Sequence, residues 1–295
     1  MLARGSLYCL VNQPATNAMT NPHEITAHYS TNDLLTRLNA SLVDDGADPA
    51  HPSIDALAPY DQFHGRGMEA TIEVADSFRF TSSDRILDIG SGIGGPARYF
   101  AQRFGCRVSG IDLTPEFCEV ARHLTALLGL TDRVAFQVAD ALALPFADAS
   151  FDGAYSMNVS MNIADKDTFY REIQRVLKPD APVVLSEIAK GAGAPLDYPT
   201  PWASSARTSF LATPEETRHG LEQAGFEILK WRSTAEEARM FGVRSRAAVE
   251  RGEKPPHRAV FLIHREMAPA AMSNTARGVA EGRIVPIEVL ARKKV

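Results

Sequence analysis

Between Arg85 and Glu187, short apolar runs alternate with stretches of helical period. RILDIG, RVSGIDL, VAFQVAD, FDGAYSM and APVVLSEI are rich in Val, Ile and Leu and are bounded by turn residues, as buried strands are. ARYFAQRF, PEFCEVARHLTALLGL and KDTFYREIQRVL lie between them and repeat their apolar residues at helix spacing. This alternation predicts a parallel sheet with helices on both faces. Upstream, Ile25, Tyr29, Leu34, Leu35, Leu38 and Leu42 give one helical face, with Asn21-Pro22 as its start signal, and Met68 to Phe78 gives another. The run DDGADPAHPSIDALAPYDQFH between them, dense in Pro, Gly and Asp, reads as a loop. Downstream, Thr213 with Pro214, Glu215 and Glu216 marks a helix start, Gly225 its end and FEILKW a strand. A helical stretch, the break GEKPPH and a last helix then lead to RIVPIEVLARK, whose Pro286 predicts an edge strand or a bulge. The chain therefore divides into a loose leader over 1–20, a helical segment over 21–80 and a main domain over 81–295, with a helical insertion at about 235–280.

Composition narrows the class. A chain of 295 residues with 45% hydrophobic and 23% charged residues is globular rather than disordered or coiled-coil. A net charge of −5 offers no broad field for nucleic acid or anionic lipid, so neither is an expected partner. Cys9, Cys106 and Cys118 fit neither a disulfide framework nor a zinc spacing, which points to a reducing compartment. No run reaches the ~18 apolar residues of a membrane span. The leader is too broken by Ser6 and Tyr8 for a signal peptide, and Met19 offers a second start. The expectation is a soluble, cytoplasmic protein.

Three acidic strand ends carry the chemistry. ILDIGSGIGG before a helix makes a ligand-binding turn at the carboxyl end of the first strand, where Gly90, Gly92 and Gly94 let a ligand approach the backbone. Asp88 at its mouth would repel a pyrophosphate and suit an ammonium group. Asp112 closes the second strand about 20 residues on, where a carboxylate accepts ribose hydroxyls. Asp140 with Ala141 closes the third, where a carboxylate can accept from an adenine amino group.

In this order, DIGSGIGG, GIDLTPEFCEVA, DALALPFADASFD and RVLKPDAPVVLSEI resemble the motifs of class I S-adenosylmethionine-dependent methyltransferases. DQFHGRGMEAT, SMNVSMNIADK and the region from PWASS to AGFEILKW extend the likeness to bacterial sarcosine/dimethylglycine-type small-molecule enzymes. The resemblance implies a Rossmann-like, mostly parallel seven-stranded α/β sheet, its last one or two strands antiparallel, with an N-terminal helical lid and a helical insertion before the final strand. It implies S-adenosylmethionine as methyl donor, S-adenosylhomocysteine as product and a small-molecule acceptor. The donor's methionine part falls to Asp88, Gly90, Ser91, Gly92 and Gly94, its ribose to Asp112 and Leu113, and its adenine to Asp140 and Ala141.

Acceptor candidates come from loops beside the strand ends. His64 is either a general base or a structural loop histidine. Gln62 stands beside it, and Asn158 and Met161 follow the fourth strand, where the fold places both donor and acceptor contacts; Asn158 is assigned to the donor and Met161 to the acceptor. Tyr198 and Trp202 lie in the Pro-rich loop after the fifth, where Trp202 either covers the acceptor or pins the loop. Tyr29 is either a lid over the sulfonium, by cation–π attraction, or a packing aromatic. The favoured acceptor is an amine or amino acid nitrogen, with an oxygen or carbon atom of a secondary metabolite second. SMNV in place of Asn/Asp-Pro-Pro-Tyr, and the lack of a Pro-Cys pair, argue against nucleic-acid bases. No metal is expected, Asp165 and Asp167 being the nearest approach to a ligand set. A nicotinamide oxidoreductase is the remaining alternative; Asp88 opposes it, and neither Tyr155 nor Tyr170 has a Lys four residues on. Part of the insertion serves as a second lid or as a homodimer contact.

Overall fold

The computed structural model describes residues 22–295, so the 1–20 leader and the Asn21 start signal lie outside the described residues. Seven strands form one sheet: β1 (Arg85–Ile89), β2 (Arg107–Asp112), β3 (Val134–Val138), β4 (Gly153–Met157), β5 (Pro182–Lys190), β6 (Phe226–Ser233) and β7 (Ile284–Lys293). Their order is β3-β2-β1-β4-β5-β7-β6. β1 to β5 run parallel, and β7 lies antiparallel between β5 and β6. Neighbouring residues on β1 serve opposite faces: Ile86 packs with one buried cluster and Leu87 with the other. Both faces are covered, which is why the strands read as nearly continuous apolar runs.

Helices α4 (Met68–Asp76), α5 (Gly95–Phe104) and α6 (Pro115–Leu127) cover the Ile86 face through Val74, Phe100 and Ala121. Helices α7 (Lys166–Val176) and α8 (Pro214–Gln223) cover the Leu87 face through Phe169, Ile173 and Leu221. The start of α8 is a reciprocal capping box: Glu216 N donates to Thr213 Oγ1 at 3.1 Å and Thr213 N to Glu216 Oε2 at 2.8 Å. The strand order reverses between β1 and β4, and at such a point the carboxyl ends of the strands open a crevice.

Three local expectations are corrected. The N-terminal helical face is not one helix but two, α1 (Pro22–Tyr29) and α2 (Leu34–Asp44), separated by a turn in which Asn32 has φ +62°. Leu34, Leu38 and Leu42 are fully buried at i, i+4 and i+8, each burial contributing about 1.5–3 kcal/mol. The run taken as a loop contains α3 (Ile54–Asp61), although Pro59 lies inside it. Ser53 caps this helix by accepting from Ala56 N, and burial of Leu57 and Tyr60 holds it. Finally, β7 is an inner strand without a bulge; the register shift is in β6, at Ile228/Lys230. Pro286 is tolerated because it pairs with Ile188 just before the ladder to β6 begins at Ile287.

Between β6 and β7 the chain forms α9 (Ala235–Glu250), α10 (Ala259–His264) and α11 (Ala268–Ala280). Among the described residues no helix is long and apolar enough to cross a membrane. Asp165 caps α7 by accepting from Thr168 N, and no described group of three His, Cys, Asp or Glu side chains is placed to hold a metal.

Candidate functional site

A cavity of about 1080 Å³ opens over the carboxyl ends of the parallel strands. Its floor is the turn after β1, the residues just past β2, β3 and β4, and the late part of β5. Tyr29 of α1, the Phe63–Arg66 segment and the α9–α11 insertion form the opposite walls.

The glycine turn is built against β2. Gly90 N and Ser91 N both donate to Ile111 O, at 2.9 and 2.8 Å, and Gly92 N donates to Asp112 Oδ2 at 2.9 Å. Gly90 has φ +73°, and a Cβ there would lie 2.2 Å from Val159 Cγ2. Only glycine therefore allows the segment leaving β4 to cross the turn so closely. Asp112 Oδ1 accepts from Thr114 N at 2.8 Å, which fixes the carboxylate at the strand end. Burial raises the Asp112 pKa, while the backbone donors of Thr114 and Gly92 oppose the rise. Asp140 is held similarly, Oδ1 accepting from Leu142 N at 2.9 Å.

Asp88 lies under the turn, 2% exposed. With Ser91 it borders an annex of about 10 Å³ that shares Phe63, His64, Gly90, Gly92 and Met157 with the main cavity. Asp88 Oδ2, Ser91 Oγ and the Tyr155 hydroxyl are all buried without a hydrogen-bond partner of good geometry. Burial pushes the Asp88 carboxyl up to about 8, with the nearby Tyr155 hydroxyl opposing the rise.

Tyr29, His64, Gly90, Gly92, Asp112, Leu113, Asp140, Ala141, Asn158, Met161 and Trp202 thus share one cavity, and Asp88 and Ser91 share its annex. Three predicted residues do not line it. Gly94 caps α5 beneath Phe136, whose Cζ would be 2.3 Å from an added Cβ. Gln62 is fully buried, its Nε2 donating to Asp61 Oδ1 at 2.7 Å and its Oε1 accepting from Thr71 at 2.6 Å. Tyr198 packs behind the cavity wall, against the cluster of Met161, Ile188 and Trp202. His64 borders the cavity with its nitrogens turned to protein: Nε2 is 3.0 Å from Thr71 Oγ1, and Nδ1 is 3.3 Å from Gly65 O. Burial pushes its pKa down to about 3.

The family model described as a methyltransferase domain matches residues 87–185, the stretch that carries all three acidic strand ends. Methyltransferase GfsG of Streptomyces halstedii is 30% identical over 226 residues, 74% of this chain and 78% of that protein. The chain belongs to the class I S-adenosylmethionine-dependent methyltransferases. An O-methyltransferase of Pyrenophora dematioidea is 28% identical over 70% of this methyltransferase and 76% of its own length. Among solved structures, the [4+2]-cyclase SpnF superposes with a TM-score of 0.64 and 25% identity, over 89% of this chain and 93% of its own. Membership of the family displaces the nicotinamide alternative.

Several residues around the cavity of this methyltransferase carry no sequence signal or were passed over. Glu187 on β5 is buried; its oxygens accept from Ser156 Oγ at 2.9 Å and from Val159 N and Ser160 N at 3.0 Å. It fixes the segment that crosses Gly90. An acid late in a parallel strand was the same signal that singled out Asp112. Asn162 donates to Trp202 O at 2.7 Å and accepts from the Tyr29 hydroxyl at 2.9 Å, so α1 and the Trp202 loop meet on one amide. His264 lines the wall, its ring 4.8 Å from that of His28. No motif marks it; the insertion alone brings it to the site.

Proposed function

We propose that the protein transfers the methyl group of S-adenosylmethionine to an acidic oxygen or a carbon atom, a phenol or enol, of a bulky and largely apolar metabolite. The observation that carries this is the cavity. At about 1080 Å³, with mostly apolar walls, it lies just above the ~300–1,000 Å³ range of small-molecule sites and has room for two ligands side by side.

The chain's residues fit the donor. The unpartnered Asp88 oxygen and Ser91 hydroxyl suit the ammonium end, Asp112 the ribose hydroxyls, and Asp140 with Ala141 the adenine. The bare backbones of Gly90 and Gly92 admit a ligand that a side chain would exclude. Bound there, the donor supplies a methyl group already activated by a sulfonium charge. Helix α1 acts as a lid: Tyr29, with Phe117 and Phe63 packed beyond it, excludes water from the reacting centre.

The cavity histidines support this choice of acceptor. His64, pushed down to about 3 by burial, His264, pushed down to about 4 by burial and by His28, and His257, lowered by burial, are neutral but weak bases. Glu187 has both oxygens filled by protein donors. An alkylammonium has no lone pair until burial or a base removes its proton, whereas a phenol or enol keeps one throughout and can release its proton as the methyl group transfers. Catalysis then rests on alignment. A sarcosine-like acceptor also needs a carboxylate receptor. Arg66, the buried guanidinium on the wall, is already paired with Glu73 at 2.7 and 2.9 Å, and Arg239 and Arg277 with Glu236 and Asp197, which leaves the exposed Arg246 of α9 as the wall cation for such a carboxylate.

The test uses methyl-labelled S-adenosylmethionine with phenolic and polyketide-type acceptors beside sarcosine and dimethylglycine. Label in phenolic or enolic products supports the reading, and label only in the amines overturns it. A rearranged product without label would assign the cavity to cyclisation instead.

A further inference from the structure

The turn between α1 and α2 has no cap of its own. Asp33 stands at the N-cap of α2 without a side-chain capping bond, and its carboxylate pairs with Arg37 at 3.0 Å and with Arg265. The capping acceptor comes from another element. Glu116, in the first turn of α6, takes four hydrogen bonds from this turn. Its Oε2 accepts from Thr31 N at 2.7 Å and Asn32 N at 3.0 Å, and its Oε1 accepts from Leu34 N at 3.0 Å and Thr31 Oγ1 at 3.1 Å. Burial alone would raise this carboxyl, but the donors hold it below the ordinary Glu range.

The neighbours of Glu116 give the arrangement its meaning. Asp112 lies four residues before it, and Thr114, which orients Asp112, two before it. Phe117, next in the chain, packs edge-on against Tyr29 and Phe63 with ring centroids 5.9 and 5.0 Å away. Tyr29 is close enough to Asp112 for that charge to help raise its pKa, after burial. One turn of helix α6 therefore touches the strand end below the cavity and the lid above it.

We propose that Glu116 is a positioning residue that seats α1, and through it Tyr29, over the donor, so that donor binding and lid closure favour each other. The proposal rests on the reading of Asp112 as part of the donor site. Ordering the lid tightens the donor's enclosure, and by linkage a bound donor must stabilise the seated lid by the same factor.

The experiment titrates the full chain calorimetrically with S-adenosylhomocysteine and follows amide hydrogen exchange over residues 24–36. In the wild type, the ligand should slow exchange in that segment. In Glu116→Ala and Glu116→Gln, affinity should fall about tenfold or more, with the ligand-dependent protection lost. Thr31→Val, which removes one of the four bonds, should lose less. Because Glu116 acts through Tyr29, Glu116→Ala combined with Tyr29→Ala should bind no more weakly than the worse single variant, whereas a merely structural role predicts multiplied losses. Wild-type affinity in both Glu116 variants, or multiplied losses, overturns the proposal. Undiminished binding by Asp112→Ala would sink the donor-site reading while the Glu116 variants still decide the clasp. A wild type that does not bind the ligand overturns both.

Discussion

Asp88 combines deep burial with an unpartnered oxygen, so its proton is the most informative in the molecule. With the carboxyl pushed up to about 8 by burial, the free protein holds that proton at pH 7. An ammonium group in the annex favours the ionised form. S-adenosylhomocysteine binding at pH 7 should therefore release a proton. Calorimetry in buffers of different ionisation enthalpy should show release for the wild type and none for Asp88→Asn; wild-type binding without release would remove Asp88 from the donor site. The same group acts on stability with a definite sign. Its folded value stands above the ordinary 3.8, so the native state binds more protons between the two values. The Asp88 contribution to stability is then greatest below about pH 4, declines as pH rises to about 8, and is flat beyond. Unfolding curves of the wild type and Asp88→Asn should converge at the acid end of this window and diverge toward its alkaline end.

Helix α5 is tied to the end of α3 by Arg98 and Asp61, 2.9 Å apart and 1% and 2% exposed. Arg98 Nη1 also donates to Ile93 O at 2.8 Å, so the pair braces the glycine turn from behind. Removing one partner strands a buried charge. Arg98→Ala should cost about 3–5 kcal/mol in denaturant unfolding, and Arg98→Met with Asp61→Leu should recover at least part of it. A loss below about 1 kcal/mol would mean that water reaches Asp61 and screens it. Neither this brace nor the helix it anchors was legible in the sequence. Around α3 the punctuation of Pro52, Pro59 and Gly46 points to a loop, and what makes a helix there is burial of Leu57 and Tyr60 by distant elements. The break between α1 and α2 is likewise held by Glu116, more than 80 residues away. The sheet was legible because each of its strands carries its own apolar run and turn. The acids at the strand ends were legible because the sheet's register alone brings them to one edge. Gln62 and Tyr198 were misplaced for the opposite reason: a loop residue's position says where its backbone passes, not which way its side chain turns.

On the proposed reading, the sheet builds the donor floor and the insertion builds the roof. Gly242, in the middle of α9, lines the cavity and has nothing within 4 Å of the position of an added Cβ. No turn or positive φ calls for glycine there, and a mid-helix glycine is destabilising by about 0.5–1 kcal/mol relative to Ala. Ala238, Ser245 and Val249, at helical spacing from it, also line the cavity, so Gly242 stands on the face of α9 that borders it. Gly242→Ala should raise the melting temperature and leave activity close to wild type. Gly242→Phe puts a ring into the roof, away from the Asp88–Asp112–Asp140 floor, so it should leave S-adenosylhomocysteine affinity unchanged. Its kcat/KM should fall steeply for bulky phenolic acceptors and little for small ones. Equal losses across acceptor sizes would move the acceptor away from α9, and weakened S-adenosylhomocysteine binding would show that floor and roof are not separable. A selective loss would make the insertion the element that sets acceptor size.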